Sequence, residues 1–223
     1  MTASRPRPAL LAPLLTAAAV LILVLLAGEL LVAHPDWSLT EQSWIRTVQS
    51  AGNPVLDVAA YAIGLMFGPA GAIFVVLIVA ATAILVGRGW TGTVHTLLVI
   101  VVPWTIAEVL KEVVRRPRPG SDLASAGVHP LTFSFPSGHT AFAAAVCTAV
   151  VLTLVARRAR AVTIVIAVVI VVATAWSRVY LGVHYPTDVV ASLVLVPTLS
   201  IAVDRAVTRM PIFARASVET TRQ

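Results

Sequence analysis

The sequence predicts an all-α membrane protein, a bundle of six spans, and two observations support that prediction. Hydrophobic residues make up 58% of the 223-residue chain and charged residues only 12%, whereas a soluble domain carries roughly 25% charged residues. The apolar residues also fall into runs of about twenty, the length at which a helix crosses a bilayer. Since no repeat or low-complexity tract divides the chain, we expect a single domain over residues 1–223.

The first predicted span covers residues 9–32, which follow two arginines in a short polar start. This apolar run is longer than the core of a typical signal peptide, and no convincing cleavage site follows it, so we expect it to be retained. Residues 34–52 are polar and are expected to form an outer loop. Trp37 and Trp44 stand in it at positions typical of a membrane interface.

The second predicted span, residues 55–86, is too long for one straight crossing. Gly64, Gly68 and Pro69 are expected to break it into an approach segment and a span, because glycine and proline interrupt helices. The remaining four predicted spans are residues 93–114, 138–156, 161–182 and 186–203.

The basic residues predict how the bundle is oriented. A net charge of +6 in a soluble protein would suggest nucleic-acid binding, but in a membrane protein it fixes topology and attracts anionic headgroups. The arginine-rich loop at residues 157–160 and the tails at residues 1–8 and 204–223 are expected in the cytosol. The basic residues that fall on the outer side are Arg46, Lys111, Arg115, Arg116, Arg118 and Arg178.

Most of that outer cluster belongs to three motifs, which would explain why it breaks the positive-inside rule. A site for an anionic ligand overrides the topological bias locally. The first motif begins at Lys111 and ends at Arg118-Pro119, where the third span closes. Lys111 and Arg115 would share a helix face, and the converging cations would clamp a phosphate, since arginine offers forked donors and lysine a point charge.

The second motif is FPSGH at residues 135–139, immediately before the fourth span. Ser137 and Gly138 would place free backbone N–H groups at a helix N-terminus, where anions bind readily. His139 would stand beside that anion site and could donate a proton to a leaving oxygen. An ordinary helix cap with an interfacial histidine is the alternative explanation of this motif taken alone.

The third motif runs from Ser177 to Asp188. His184 and Asp188 are four residues apart, and Pro186 suits the first turn of the last span, so Asp188 can reach back towards His184. A carboxylate on one ring nitrogen fixes the tautomer and leaves the other nitrogen free to attack phosphorus. Arg178, from the end of the fifth span, could hold the equatorial oxygens.

Taken together, the three motifs resemble the signature motifs of the type 2 phosphatidic acid phosphatase (PAP2) superfamily, in particular its bacterial membrane lipid phosphatases. The resemblance covers residues 111–188, and each signature position is present in the family order. It implies that Lys111, Arg118 and Arg178 bind phosphate and that the phosphate-lining residues are Ser137 and Gly138. It also implies that His184 is the nucleophile, which forms a phosphohistidine.

For the other two catalytic residues, the resemblance implies that Asp188 orients His184 and that His139 is first the general acid and then the base that activates water. Cations would do here what a metal does in other phosphatases. Because the sequence contains no apparent cluster of metal-ligating residues, we expect no cofactor and no metal. The other histidines, at positions 34, 95 and 129, are expected to lie outside the chemistry.

The expected function is hydrolysis of a lipid phosphate at the outer face of the plasma membrane, in a multi-pass protein whose partners are its substrate and the surrounding lipids. The resemblance favours undecaprenyl pyrophosphate as substrate, with phosphatidylglycerol phosphate and phosphatidic acid as alternatives. A phosphotransferase would use the same phosphohistidine with another acceptor. A lipid-phosphate transporter or binding protein would not need the pair His184 and Asp188.

Overall fold

The computed structural model describes residues 10–125 and 132–213, and within those ranges it contains helices and no β-strand. The all-α prediction is therefore confirmed for the part of the chain described. His129 and most of the two predicted tails lie outside the described residues. The helices are α1 (Leu11–Ala33), α2 (Pro35–Ser50), α3 (Pro54–Phe67), α4 (Pro69–Leu85), α5 (Gly89–Val114), α6 (Gly138–Ala149, continued by a π-helical turn, Val150–Leu154), α7 (Arg160–Tyr180, preceded by a 3₁₀ turn, Arg157–Ala159) and α8 (Pro186–Val207).

Proline marks the first turn of four of these helices: Pro35, Pro54, Pro69 and Pro186. Proline suits this position because its fixed φ is already helical and its missing N–H would have no partner there. In α3 the preceding Asn53 adds a side-chain cap, accepting hydrogen bonds from two backbone N–H groups at 3.0 and 3.1 Å. The chain is thus divided into helices by local signals that are visible in the sequence.

Helix α2 corrects the prediction of an outer loop at residues 34–52. This helix is amphipathic: Glu41 and Ile45 are fully buried on its inner side, while Trp37 and Trp44 are 45% and 44% exposed. The two indoles meet edge to face with their ring centroids 5.9 Å apart. An amphipathic helix with an aromatic outer side is typical of a segment that lies in the membrane interface.

The predicted break in the second apolar stretch is confirmed at Gly68. Helices α3 and α4 form a broken pair, bent by 64°, and Gly68 adopts extended backbone between them. Gly64 does not interrupt α3. The bend matters for the site because it brings the backbone of α3 against the end of α7, where Arg178 donates a hydrogen bond to the carbonyl of Ala60.

Three of the described helices are long and apolar enough to cross a membrane: α1, α7 with its preceding turn, and α8. The bent pair α3 and α4 makes a fourth if it counts as one span. Helices α1, α4 and α7 expose large aliphatic side chains along their length. So much exposed apolar surface is expected where lipid, and not water, surrounds the protein.

The core lies where α5, α6 and α8 pack against one another. Helix α6 is at its centre, and nine of its twelve residues are buried. Many of these are alanines, whose small side chains let neighbouring helices approach closely. At one end of this trio the C-terminus of α5 meets the first turns of α6 and α8, and the three predicted motifs lie at that end.

Candidate active site

His184 lies in the short connection between α7 and α8, and only 1% of its surface is exposed. Its Nδ1 is 3.4 Å from Oδ2 of Asp188, without the alignment of a hydrogen bond. Its Nε2 is 3.0 Å from Nη1 of Arg118. Since a guanidinium can only donate, this contact favours the tautomer in which Nε2 keeps its lone pair and Nδ1 carries the proton towards Asp188.

Asp188 owes its position to the start of α8. It is the third residue of the helix, and its Oδ2 accepts a hydrogen bond from the Tyr185 N–H at 2.8 Å, which closes a capping box. The same oxygen accepts a hydrogen bond from the hydroxyl of Ser134. Asp188 is fully buried, so its two oxygens depend on these partners and on the cation that contacts Oδ1.

Arg118 is held against His184 by hydrogen bonds to two loops. Its Nη1 donates to the carbonyl of Val183 at 2.6 Å, and its Nε donates to the carbonyl of Thr132 at 2.7 Å. Burial lowers the pKa of Arg118 to about 10, against the opposing charges of Asp188 and Glu108. The guanidinium therefore stays charged at neutral pH and can attract a phosphate.

The electrostatic surroundings keep His184 neutral. Burial lowers its pKa well below the usual value, and the charges of Arg118, Lys111 and Arg178 lower it further. A neutral imidazole has the free lone pair that a nucleophile requires. The cations predicted to bind phosphate therefore also prevent the histidine from being lost to protonation.

Lys111 is buried near the end of α5, where its Nζ lies 3.0 Å from a carboxylate oxygen of Glu108. It packs against the first residue of α6: a methyl group at Gly138 would lie 2.9 Å from Nζ and would collide with the Glu108 carboxylate. A side chain at this position would therefore displace the ends of Glu108 and Lys111. Lys111 and the FPSGH motif, which the sequence predicts to serve one site, thus lie side by side in the structure.

Ser137 corrects part of the anion-site prediction. Its backbone N–H is not free, because it donates to the carbonyl of Asp188 at 3.1 Å. Its side chain makes no capping hydrogen bond to the backbone of α6, and its Oγ accepts a hydrogen bond from Thr140 at 3.1 Å. Ser137 can therefore offer its hydroxyl to a ligand, while its backbone ties α6 to α8.

Arg178 and His139 both face the break between α3 and α4. Arg178 is buried, and its Nη2 donates to the Ala60 carbonyl at 3.0 Å. A methyl group at Gly64 would lie 2.5 Å from that Nη2, and one at Gly68 would lie 3.2 Å from Nε2 of His139. Because glycine has no side chain, Gly64 and Gly68 thus leave space for the side chains of Arg178 and His139.

The arginines of the first motif do not all converge as predicted. Helix α5 ends at Val114, and Arg115 takes a left-handed conformation with φ of 52°. Its exposed side chain donates to the Glu112 carbonyl at 2.9 Å, so Arg115 shares no helix face with Lys111. The turn at Arg115 directs Arg116 inwards, where it is 1% exposed, but towards Asp188 and not towards the Nε2 side of His184.

Sequence reasoning missed the network behind Asp188. Nη1 of Arg116 donates to Asp188 and to Thr187, both at 2.7 Å. Its Nη2 donates to Glu41 at 2.6 Å and to Ser38 at 2.9 Å. Glu41 is 75 residues away in the chain from Arg116, so no spacing pattern could have joined them. The available signal in the sequence was an acidic residue one helical turn before the apolar Ile45.

An apolar groove of about 590 Å³ runs between α1 and α8. It reaches from the middle of these helices to the level of His34, Trp37 and Thr187. Thr187 contacts Arg116 and Glu41, so the groove ends beside the charged network. The aliphatic side chains along it are Val20, Leu23, Val24, Leu30, Leu31, Val190 and Val194.

The motifs and this fold together define a class of protein. Residues 92–210 match the PAP2 superfamily, and since that match covers more than half of the chain, the protein belongs to this superfamily. The resemblance proposed from the motifs is confirmed.

A search by sequence and a search by structure each find a similar bacterial protein. Phosphatidylglycerophosphatase B of Bacillus subtilis (strain 168) is 34% identical over 125 residues, which span 54% of this chain and 60% of that protein. The crystal structure of a transmembrane PAP2 type phosphatidylglycerolphosphate phosphatase from Bacillus subtilis matches with a TM-score of 0.71 and 29% identity, covering 82% of this chain and 92% of that one.

A more distant structure shares the fold. LpxE of Aquifex aeolicus matches with a TM-score of 0.57 and 22% identity, covering 73% of this chain and 93% of that one. The fold of this chain is thus similar to that of a transmembrane PAP2 type structure and to that of LpxE.

Proposed function

We propose that this protein is a metal-independent lipid phosphatase, and that its leading substrate is phosphatidylglycerol phosphate. The observation that supports it best is the position of His184, neutral and buried, between the Asp188 carboxylate and the Arg118 guanidinium. The sequence match and the solved structure with the higher TM-score are both phosphatases of that lipid by name. They favour the alternative substrate over undecaprenyl pyrophosphate, which becomes the rival to test.

In the first step Nε2 of His184 attacks phosphorus and the bond from phosphorus to the ester oxygen breaks. The leaving oxygen takes the bonding pair and receives a proton from His139. The lipid alcohol departs, and the phosphoryl group remains on His184. Lys111, Arg118 and Arg178 stabilise the charge on the equatorial oxygens, and Asp188 stabilises the proton on Nδ1.

In the second step water attacks the phosphohistidine. His139, now unprotonated, takes a proton from that water, and the bond from nitrogen to phosphorus breaks. The bonding pair returns to Nε2, inorganic phosphate leaves, and His139 is again protonated for the next turnover. The same groups thus serve both steps, which a site without a metal requires.

The apolar groove between α1 and α8 supports a lipid substrate. It is lined by aliphatic side chains over most of its length and ends at the level of Thr187 and the charged network. A hydrocarbon tail in the groove would leave a headgroup near the end of the bundle that carries the motifs. A lipid could thus be held without leaving the bilayer.

The decisive experiment for the function is a panel of lipid phosphates, assayed for released phosphate with purified protein in EDTA. The panel contains phosphatidylglycerol phosphate, phosphatidic acid and undecaprenyl pyrophosphate. We expect turnover that EDTA does not reduce, highest with phosphatidylglycerol phosphate. A higher kcat/KM for the pyrophosphate would restore the rival substrate, and loss of activity in EDTA would contradict a reaction without metal.

The panel also separates two other classes of function. A phosphotransferase would consume the lipid phosphate but release stoichiometric free phosphate only when water is the acceptor, so adding an alcohol would lower the phosphate yield. A lipid-phosphate binder or transporter would bind the substrates and release no phosphate.

We further propose six spans in the plasma membrane with the site outside the cytoplasm: α1, the pair α3 and α4, α5, α6 with its π-helical turn, α7 and α8. Impermeant thiol reagents can test this topology after Cys147→Ala, which removes the single native cysteine. Asp122→Cys should then react in intact cells, and Arg158→Cys should not. The reverse labelling would place the site on the cytosolic face.

A further inference from the structure

Three buried charges stand in a row behind His184. Arg116 bridges Asp188 and Glu41, with ion-pair distances of 2.7 and 2.6 Å. Its guanidinium also lies 4.0 Å from the ring centroid of Tyr185. The exposed fractions of the side chains are 1% for Arg116 and 0% for both carboxylates. The row therefore crosses the protein interior from α2 to the first turn of α8.

A buried carboxylate needs a fixed cation, because desolvation strongly disfavours an unpaired charge. For Asp188 that cation is Arg116, which donates to Oδ1 while Ser134 and Tyr185 occupy Oδ2. The other terminal nitrogen of Arg116, Nη2, donates to Glu41 on α2.

Glu41 is itself held by the first turn of α8. Its Oε1 accepts from the backbone N–H and the hydroxyl of Thr187, each at 2.8 Å. Thr187 directly precedes Asp188 in the chain. Helix α2 thus contacts the turn of α8 that positions Asp188 beside His184. The contact is direct, from Glu41 to Thr187, and indirect, through Arg116.

We propose that Arg116, anchored by Glu41, is a positioning residue that keeps the Asp188 carboxylate ionised and aimed at Nδ1 of His184, so that α2 is part of the catalytic unit. Neither residue touches the substrate in this scheme. The proposal rests on the proposed phosphatase function, since it assigns the network a role in that reaction.

Because Arg116 and Glu41 carry opposite charges, removing each charge should shift the pH dependence of kcat/KM in a different direction. Removing the positive charge of Arg116 would make proton uptake by the coupled pair Asp188 and His184 easier, so the acid limb of kcat/KM would move to higher pH. Removing the negative charge of Glu41 would make proton uptake harder, so that limb would move to lower pH or stay in place. The other charged groups near His184 are Lys111, Arg118 and Arg178, and they are unchanged in both variants.

The experiment compares Arg116→Gln and Glu41→Gln with Arg115→Gln, a matched control that removes the same charge one residue away at an exposed side chain. The substrate is short-chain phosphatidylglycerol phosphate in detergent micelles, and a fluorescence melt confirms folding of each purified variant. For Arg116→Gln we expect kcat to fall by about 10- to 100-fold, the range for partners that orient a functional side chain, with a smaller change in KM. Arg115→Gln should stay within about twofold of the wild type, as exposed charges contribute little, and Arg116→Lys should recover part of the loss.

A folded Arg116→Gln variant with wild-type kcat and an unmoved acid limb would overturn the proposal. So would acid limbs that move in the same direction in Arg116→Gln and Glu41→Gln, since a general loosening of the fold would do that. If Arg116→Gln does not fold, the near-isosteric Glu41→Gln decides through its acid limb: a shift to higher pH overturns the proposal. Wild-type protein that turns over none of the lipid phosphates would refute the proposed function instead.

Discussion

The two sides of the His184 ring are built on different principles. On the Nε2 side, Arg118 is partly exposed and is anchored mainly by backbone carbonyls of two loops. On the Nδ1 side, Asp188, Arg116 and Glu41 are fully enclosed and pair with one another. The first side keeps its charges available for a ligand, whereas the second is closed and fixes an orientation. Charges that lie at the surface can therefore meet a substrate, whereas charges paired in the interior can only position one another.

The largest effect is expected from removing the ring that both sides share. His184→Ala should abolish phosphate release, because the covalent intermediate forms on the ring nitrogen that this change removes. The variant should still fold and insert, which gel filtration in detergent checks. Labelling with ³²P-phosphatidylglycerol phosphate should give an acid-labile phosphoprotein in the wild type after rapid quenching, and none in the variant. Normal turnover by the folded variant would refute the mechanism.

The second prediction tests the role of His139 as general acid and then general base on the Nε2 side. His139→Ala should lower turnover of lipid substrates by about 10²- to 10⁴-fold, the range for general acid–base catalysis. With p-nitrophenyl phosphate, whose leaving group needs no proton, formation of the phosphoenzyme should recover while its hydrolysis stays slow. A burst of nitrophenolate followed by a slow phase would show this. A variant that is equally impaired in both steps with both substrates would contradict the role of His139.

A smaller effect is expected from crowding the Nε2 side without removing a charge. Gly64→Ala places a methyl group 2.5 Å from Nη2 of Arg178, so that guanidinium must move. We expect kcat/KM to fall by about tenfold, since sub-ångström displacement of a transition-state contact is costly. Leu65→Ala, at the next residue of α3 with a 73% exposed side chain, is the control and should remain near the wild type. Equal activity in both variants would show that Arg178 tolerates displacement.

The mildest test is the pH dependence of the wild type. The folded protein lowers the pKa of His184, so the imidazole stays neutral below its usual titration range and is protonated only as the pH falls further. The acid limb of kcat/KM reports the free enzyme. It should therefore lie below about pH 6.5, which is the ordinary pKa of histidine. A limb at or above that value would mean that the cations around His184 do not act on it as described.

Much of the fold could be predicted from the sequence because the relevant signals are local. The bounds of the long apolar helices followed from hydrophobicity, and the break at Gly68 and Pro69 followed from backbone chemistry. Helix α2 was missed because its overall polarity outweighed its periodicity. Its start at Pro35 and the four-residue step from Glu41 to Ile45 were signals of an amphipathic helix.

The site was predictable as far as its residues lie in motifs with fixed spacing. His184 and Asp188 are one helical turn apart, and their approach follows from the start of α8. The donation from the Ser137 N–H to α8 and the inward turn of Arg116 could not be predicted, because each depends on a partner in a distant helix. Arg115 and Arg116 are equivalent in a sequence motif. Only the left-handed turn at Arg115 directs the first side chain outwards and the second inwards.

The buried pair of Glu41 and Arg116 also has a consequence for how such sequences diverge. A lineage that replaces Arg116 alone would leave the carboxylates of Glu41 and Asp188 buried without their cation, which is strongly destabilising. A change at Arg116 should therefore be accompanied by a change at Glu41, 75 residues away in the chain, and by another cation for Asp188. Covariation between the segment after the first span and the arginine-rich motif would then identify the family members in which α2 has the same arrangement.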